Sequence, residues 1–405
     1  MNWHKTFPIF FPLLILLCLC AAPALCSEAA PEDEPLLGVR EGWSWPVVVI
    51  QPPEGWDSEA GNTIKLAMRT AERELSLERD AINGREVTFM FSDVKDASEI
   101  GARLAMWRAM HVAAIVTFAD ADFSDALAEL CAENGPSLIY AGGEETSINS
   151  PETGDPRPYL FAFDLPYFAR ANALAEAASL EHPGELAAVF TDILSARLAR
   201  GASLTAGYLA ARNMTSLDIS ASAYSQDQFT PQVRELEAGG TKVYICWLDA
   251  MATLSIWQTL ERRRADSVVF YSGPPRVILT DADGIIVVDK DVLLERNTEG
   301  RNAIMKLIRD RFGDASVEPV LAARTYALAR WALGAYREVG TGDDTPAIAA
   351  ALGRASGIPL MDETLSIDPS THRPRSRRYG LLRVENKRWA SYGSVEVYSA
   401  ETAEE

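Results

Sequence analysis

Short apolar runs alternate along this chain with longer stretches in which apolar positions recur every three or four residues. PVVVIQ (46–51), EVTFMFSD (86–93), VAAIVTF (112–118) and SLIYA (137–141) are rich in β-branched residues and too short for helices, so they read as buried strands. Between them, SEAGNTIKLAMRTAERELSLE, ASEIGARLAMWRAM and FSDALAELCAEN carry the helical period; in the first it falls on Ile64, Leu66, Ala67 and Ala71. Strands joined by such helices predict βαβ units and a parallel sheet, and right-handed crossovers put helices on both of its faces.

The rhythm breaks at GGEETSINSPETGDPRPY (142–159), rich in Gly, Pro, Ser and acids, and then restarts. PYFARANALAEAASLE, SARLARGASLTAGYLAARN, FTPQVRELEAGG and a stretch reaching Arg264 read as helices, the third closed by a C-cap pair, Gly239-Gly240. LAAVFTD (186–192), SLDISASAY (216–224), KVYICWL (242–248) and SVVFYSG (267–273) read as strands. One more strand, IIVVD (285–289), precedes helices at 297–313, 319–339 and 345–354. The end, LSIDPSTHRPRSRRYGLLRVENKRWASYGSVEVYS, has short strands and turns but no helical period. Two successive α/β units split by a turn-rich break predict an α/β fold of two doubly wound, Rossmann-like lobes.

The N-terminus adds a compartment. MNWHK carries one cation, Lys5; an apolar run follows and ends in Ala22-Pro23-Ala24. That order predicts a secretory signal over 1–24, cut after Ala24, then a linker over 25–44, and export across a membrane. An uncleaved anchor is the alternative, but the apolar core is short of the ~20 residues a span needs, and Pro8 and Pro12 interrupt it. A lipid on Cys26 is a further alternative, opposed by the bulky Leu25 before it. Without residues 1–24 the chain holds 37 basic and 57 acidic side chains, a net charge of −20. So acidic a chain is a poor partner for nucleic acid or an anionic membrane surface.

The chemistry-bearing residues are sparse. Only Cys131 and Cys246 lie in the body, in a helix and a strand pattern, and read as buried thiols. His4, His111, His182 and His372 stand singly, without metal-ligand spacing. Asp281-Ala282-Asp283-Gly284 starts like a calcium loop but lacks the later ligands. The basic run from His372 to Arg378 reads as a solvated turn, with contact to a membrane partner as the alternative. No G-x-S-x-G, P-loop or Cys/His pair occurs, so neither an enzyme nor a cofactor is expected.

Three stretches together carry a family resemblance. Ala81-Ile82-Asn83-Gly84-Arg85 joins the first helix to a strand ending at Asp93; VAAIVTFADADFSDALAELCAENGPSLIYAGG follows; GIPLMDETLSIDPSTHRPRSRRYGLLRVENKRWASYG closes the chain. In that order they resemble the type I periplasmic solute-binding proteins of ABC transporters, especially the branched-chain amino-acid and amide group. The resemblance implies the periplasmic binding protein-like I fold, with chain crossings near 155–162, 276–284 and 356–362. Lobe 1 would then hold 45–158 and 282–357, lobe 2 would hold 159–281 and 358–398, and 399–405 would be a tail. It also implies a small-molecule ligand trapped by hinge closure, an ABC permease in the inner membrane as partner, and a monomer. The stretch between Gly273 and Ile285 is short for the helix the family usually has there.

Ligands of parallel sheets sit beyond the carboxyl ends of the strands, and that rule selects the candidate site residues. After strand one comes Trp56, which either stacks on a ligand or packs its own loop. After strand three come Asp122 and Ser124, the latter a ligand group or an N-cap; after strand four come Gly142, Gly143, Glu144 and Glu145. The second unit offers Asp192 and Ser195 after its first strand, and Trp247 and Asp249 after its third. In amino-acid binders the family resemblance implies a small hydroxyl near Ala121 for the carboxylate and an acid near Pro275 for the ammonium; neither is present. Asp120, Asp122, Glu144 and Glu145 would instead make an acidic rim suited to a cationic or amide-rich ligand, or merely a solvated surface. The expected function is therefore delivery of a small polar solute, amino-acid-like or amide-like, to a permease. The alternative is a sensing or regulatory module of the same fold.

Overall fold

Strand β1 (Ser44–Ile50) is buried along all but its first residue, so both of its faces need cover. The computed structural model describes residues 44–397 apart from 78–81, 83, 142–147, 151–152, 154, 164–166, 222–228, 262–265, 276, 290–297, 361–362 and 376–377. The expected signal, linker and tail therefore lie outside the described residues. β1 pairs in parallel with β2 (Glu86–Ser92) and β3 (Ala114–Thr117), and the sheet continues through β4 (Ser137–Tyr140) and β5 (Leu160–Ala162) in the order β2-β1-β3-β4-β5. Alternate residues of β1 divide between two cores, as a period of two requires. Val47 and Val49 pack with α1 (Glu59–Leu77), while Val48 and Ile50 pack with α2 (Ile100–Ala109) and α3 (Ala121–Cys131). β5, only three residues long, was not expected, because so short a run carries no period.

The second sheet is built the same way and ends differently. After α4 (Tyr167–Glu181) come β6 (Ala187–Asp192), α5 (Ala196–Ala210), β7 (Ser216–Ala221), α6 (Thr230–Ala238), β8 (Val243–Trp247), α7 (Ala250–Glu261), β9 (Val268–Tyr271) and β10 (Ile286–Asp289). Strands β7-β6-β8-β9-β10 are parallel, and β14 (Arg378–Glu385) and β15 (Arg388–Glu396) extend the β10 edge antiparallel. On β6, Ala187 and Val189 share a core with α4 and α5, whereas Ala188 and Phe190 face α6 and α7. The predicted glycine stop closes α6. Gly240 has φ +87°, and the Gly240 and Thr241 amides return to the Glu237 and Leu236 carbonyls.

Between β10 and β14 the chain returns to the first sheet. α8 (Thr298–Phe312), α9 (Pro319–Val339) and α10 (Thr345–Arg354) follow β10, and α9 fills the core behind β1 with Ala327, Leu328, Trp331 and Tyr336. A three-stranded antiparallel ribbon follows, β11 (Ile358–Leu360), β12 (Glu363–Asp368) and β13 (Arg373–Arg375).

This placement corrects three expected lobe boundaries, the first because β5, expected in lobe 2, pairs with β4 of the first sheet. Residues 282–289 belong with the second sheet, because β10 pairs with β9 and β14. Ile358, Leu365 and Ile367 belong to the first core, and only β14 and β15 join the second sheet. The chain thus changes sheets between Phe163 and Tyr167, between Asp289 and Thr298, and between Arg375 and Arg378, each time later than expected. The physical reason is cover. IIVVD is buried throughout its apolar part and finds a partner on each side only between β9 and β14. The short stretch before it holds a 3-10 turn, Val277–Asp281.

One further expectation changes. The basic run is not simply a solvated turn: Arg373 is 5% exposed, and the His372 ring stacks on Phe161 with centroids 4.5 Å apart. The Asp281–Gly284 turn is bonded to the β14–β15 hairpin. Asp283 accepts from the Lys387 amide, and Asp281 lies 3.4 Å from the Lys387 ammonium.

Candidate functional site

An open parallel sheet binds ligands where its strand order reverses, beyond the carboxyl ends of the strands. Sheet 1 reverses between β1 and β3, and sheet 2 between β6 and β8. Phe163, just past β5, donates its amide to the Tyr140 carbonyl at the carboxyl end of sheet 1. Four residues later α4 begins, and its Arg170 reaches Ser272 at the carboxyl end of sheet 2. Four peptide units span at most about 14 Å. The two sets of strand ends are therefore neighbours, joined by the first passage between the sheets.

The sheet 1 candidates are largely committed to their own surroundings. Trp56 is half-buried. Its Nε1 donates to the Ser92 carbonyl at 3.0 Å, its ring meets Phe91 edge-on at 5.1 Å, and Lys65 lies over its face at 5.6 Å. It ties the β1 loop to the end of β2. Ser124 is 1% exposed and is not the N-cap: its hydroxyl pairs with Thr117 at 3.0 Å, inside α3. The cap is Asp120, whose carboxylate accepts from the Phe123 amide at 2.9 Å. Asp122 is exposed in the first turn of α3. Gln51, 4% exposed beside the reversal, donates to the Asp93 carbonyl. Gly142, Gly143, Glu144 and Glu145 lie outside the described residues.

In sheet 2, Asp192 ends β6 and accepts from the Leu194 amide at 2.9 Å, while Ser195 caps α5 through the Leu198 amide at 3.3 Å. Asp249 is exposed and caps α7 through the Ala252 amide at 2.7 Å. Trp247 is 2% exposed; its indole N–H donates to Thr205 at 2.9 Å and its ring covers Gly201. Its indole is turned into the core rather than beyond the strand ends. Ile193 and Leu194, 57% and 60% exposed, put an apolar pair on the rim after β6.

The strand-end rule passed over Thr191 and Arg170. Thr191 is 6% exposed at the end of β6, and its hydroxyl has no partner among the described residues. Arg170 is half-buried; one Nη donates to the Ser272 carbonyl at 2.9 Å, while its Nε is buried without a partner. No carboxylate among the described residues pairs with Arg170. A buried polar group left unpaired costs about 1–3 kcal/mol. The signals were a hydroxyl at the carboxyl end of β6 and an arginine in the first turn of the alanine-rich ARANALAEAAS helix. At the sheet 1 strand ends a second arginine, Arg324 of α9, donates to the Ala141 and Phe163 carbonyls at 3.5 and 3.4 Å.

Nothing in this arrangement is built for bond making. Burial pushes both thiols, Cys131 and Cys246, up to about 12, so neither is a nucleophile at neutral pH. Among the described residues no group of three or more His, Cys, Asp or Glu could hold a metal ion, and no helix is long and apolar enough to cross a membrane.

Comparison with known proteins agrees with this geometry. Several solved structures share the fold. A periplasmic ligand-binding protein of a branched-chain amino acid ABC transporter from Burkholderia xenovorans is 14% identical, over 87% of this chain and 96% of that one, with a TM-score of 0.68. The leucine-binding protein LivK of Thermotoga maritima is 16% identical, over 87% and 99%, with a TM-score of 0.64. An ABC transporter solute-binding protein from R. palustris, in complex with 4-hydroxybenzoate, is 15% identical, over 89% and 100%, with a TM-score of 0.63. No curated protein matches the sequence. The family profile described as periplasmic binding protein matches residues 44–388, nearly all of the folded part. That family comprises substrate-binding proteins rather than enzymes, and this chain belongs to the periplasmic binding protein family.

Proposed function

We propose that the chain is the extracytoplasmic solute-binding component of an ABC importer, binding a small polar ligand, amino-acid-like or amide-like, between the carboxyl ends of its two sheets. The observation that carries it is the junction at Phe163–Tyr167, a short passage from the end of β5, the edge strand of sheet 1, to α4, whose Arg170 meets the end of β9 in sheet 2. A ligand touching both sets of strand ends binds the closed arrangement better than the open one, and closure is the population shift that follows. The fold relatives named above include a leucine-binding protein and a protein in complex with 4-hydroxybenzoate, both small solutes. Export follows from the N-terminal pattern, with cleavage after Ala24; the partner is an ABC permease in the inner membrane, and the working form is a monomer.

Native mass spectrometry of the exported protein tests this directly. The expected result is a chain starting at Leu25 that carries one small polar compound, which raises the melting temperature of the stripped protein when added back. A stripped protein that no solute from the periplasmic extract stabilises overturns the solute-binding role.

A further inference from the structure

Two buried donors without a hydrogen bond among the described residues, the Thr191 hydroxyl and the Arg170 Nε, lie on one side of sheet 2. Registers β6–β8 and β8–β9 pair Thr191 with Trp247 and Cys246 with Tyr271, so Thr191, Trp247 and Ser272 form a row across three adjacent strands at their carboxyl ends. Residues alternate between faces along a strand. Val189 and Trp247 belong to the core shared with α4 and α5, and Thr191, two residues after Val189, points to the same side. Arg170 projects from α4 on that side and meets the row at Ser272. Strand spacing puts Thr191 and Ser272 about 10 Å apart, with the Trp247 ring flat against Gly201 beneath them. The first turn of α5, with its partial positive charge, opens five residues after Thr191.

Sheet 1 offers no such pair at its own reversal. There the Thr117 hydroxyl is taken by Ser124 and the Gln51 amide by the Asp93 carbonyl. Sheet 2 instead presents a hydroxyl and a guanidinium N–H that nothing in the described chain satisfies. Both are donors, one is cationic, and no acid among the described residues pairs with it. A carboxylate matches this set, because it accepts from both groups and supplies the missing charge.

Resting on the solute-binding role proposed above, we infer that the ligand is a small carboxylic acid whose carboxylate is held in sheet 2 by Arg170 and Thr191. The exposed Ile193 and Leu194 suit an apolar or aromatic body on that acid. The polarity is the reverse of the amino-acid site that the sequence resemblance implies, in which the second lobe receives the ammonium group.

Titration calorimetry on the exported chain, stripped of ligand, tests the inference with benzoate, 4-methylpentanoate and leucine, each against its primary amide. At least one acid binds, and its amide binds at least about 10-fold more weakly. Arg170→Gln weakens that acid about 10- to 100-fold, Thr191→Val about 10-fold, and Arg170→Lys less than Arg170→Gln. If Arg170→Gln does not fold, the acid-against-amide comparison on the unaltered chain decides alone. Equal affinity for acid and amide, no binding of any acid, or folded variants that bind the acid like the unaltered chain overturns the inference. Tight binding of a neutral or cationic solute, unchanged in Arg170→Gln, overturns it too while leaving the solute-binding role standing.

Discussion

The ring of Trp247 lies so close over Gly201 that a Cβ built at residue 201 would sit 2.2 Å from its Cζ3. The contact joins the end of β8 to α5 inside the core of sheet 2. Gly201→Ala forces a buried indole, fixed by its bond to Thr205, out of its place. Overpacking of this kind costs about 1–3 kcal/mol, and urea denaturation of the variant is expected to show a loss in that range.

Trp247→Phe removes the indole N–H and part of the ring volume without adding atoms. Thr205 keeps its own bond to the Gly201 carbonyl, so its hydroxyl is not orphaned. A loss of about 1–3 kcal/mol in stability is expected, with the affinity for the copurified solute unchanged. A large loss of affinity in a variant that stays folded would return Trp247 to the ligand site.

His372 gives the protein a pH dependence of definite sign. Burial against Phe161 and Leu160 holds its imidazole below the usual histidine range; the Arg373 cation adds to this, and the Leu160 and Arg157 backbone contacts and Asp368 oppose it. A depressed folded-state value means that the unfolded chain binds the proton more readily, so stability is full above about pH 6.5 and falls as the pH drops toward the folded value. Chemical denaturation between pH 7.5 and 5 is expected to show this fall, and His372→Gln to flatten it.

Both thiols are expected to be silent in the native state. Cys131 and Cys246 are fully buried, and burial pushes each up to about 12. An aromatic disulfide reagent at pH 8 should release no chromophore until denaturant is added, and then two equivalents from these residues, besides any from thiols retained near the N-terminus. Fast labelling without denaturant would show that the strand or the helix opens locally.

The sequence pattern made most of the fold legible, because β-branched runs such as Val47–Ile50 and Val243–Trp247 can be buried only between helices. It failed where pairing rather than period decides. IIVVD carries the same signal whichever sheet it joins, and only its partners β9 and β14 fix the choice. The candidate site was less legible. Loops after strands could be located from sequence, but whether a side chain there is already satisfied could not. Ser124 and Trp247 proved to be bonded within the fold, while Thr191 and Arg170, hidden in a strand and a helix, were left with unmet donors.

The backbone bond from the Ala162 amide to the His372 carbonyl has a mechanical consequence. It clips together the two segments from which the first and third passages leave sheet 1. Those departure points stay one strand-width apart whatever the second sheet does. Two anchors at fixed spacing define a line, and a body tethered along a line swings about it more easily than it slides or screws. On the solute-binding role proposed above, a closing stroke would have its direction set by this line before any solute arrives.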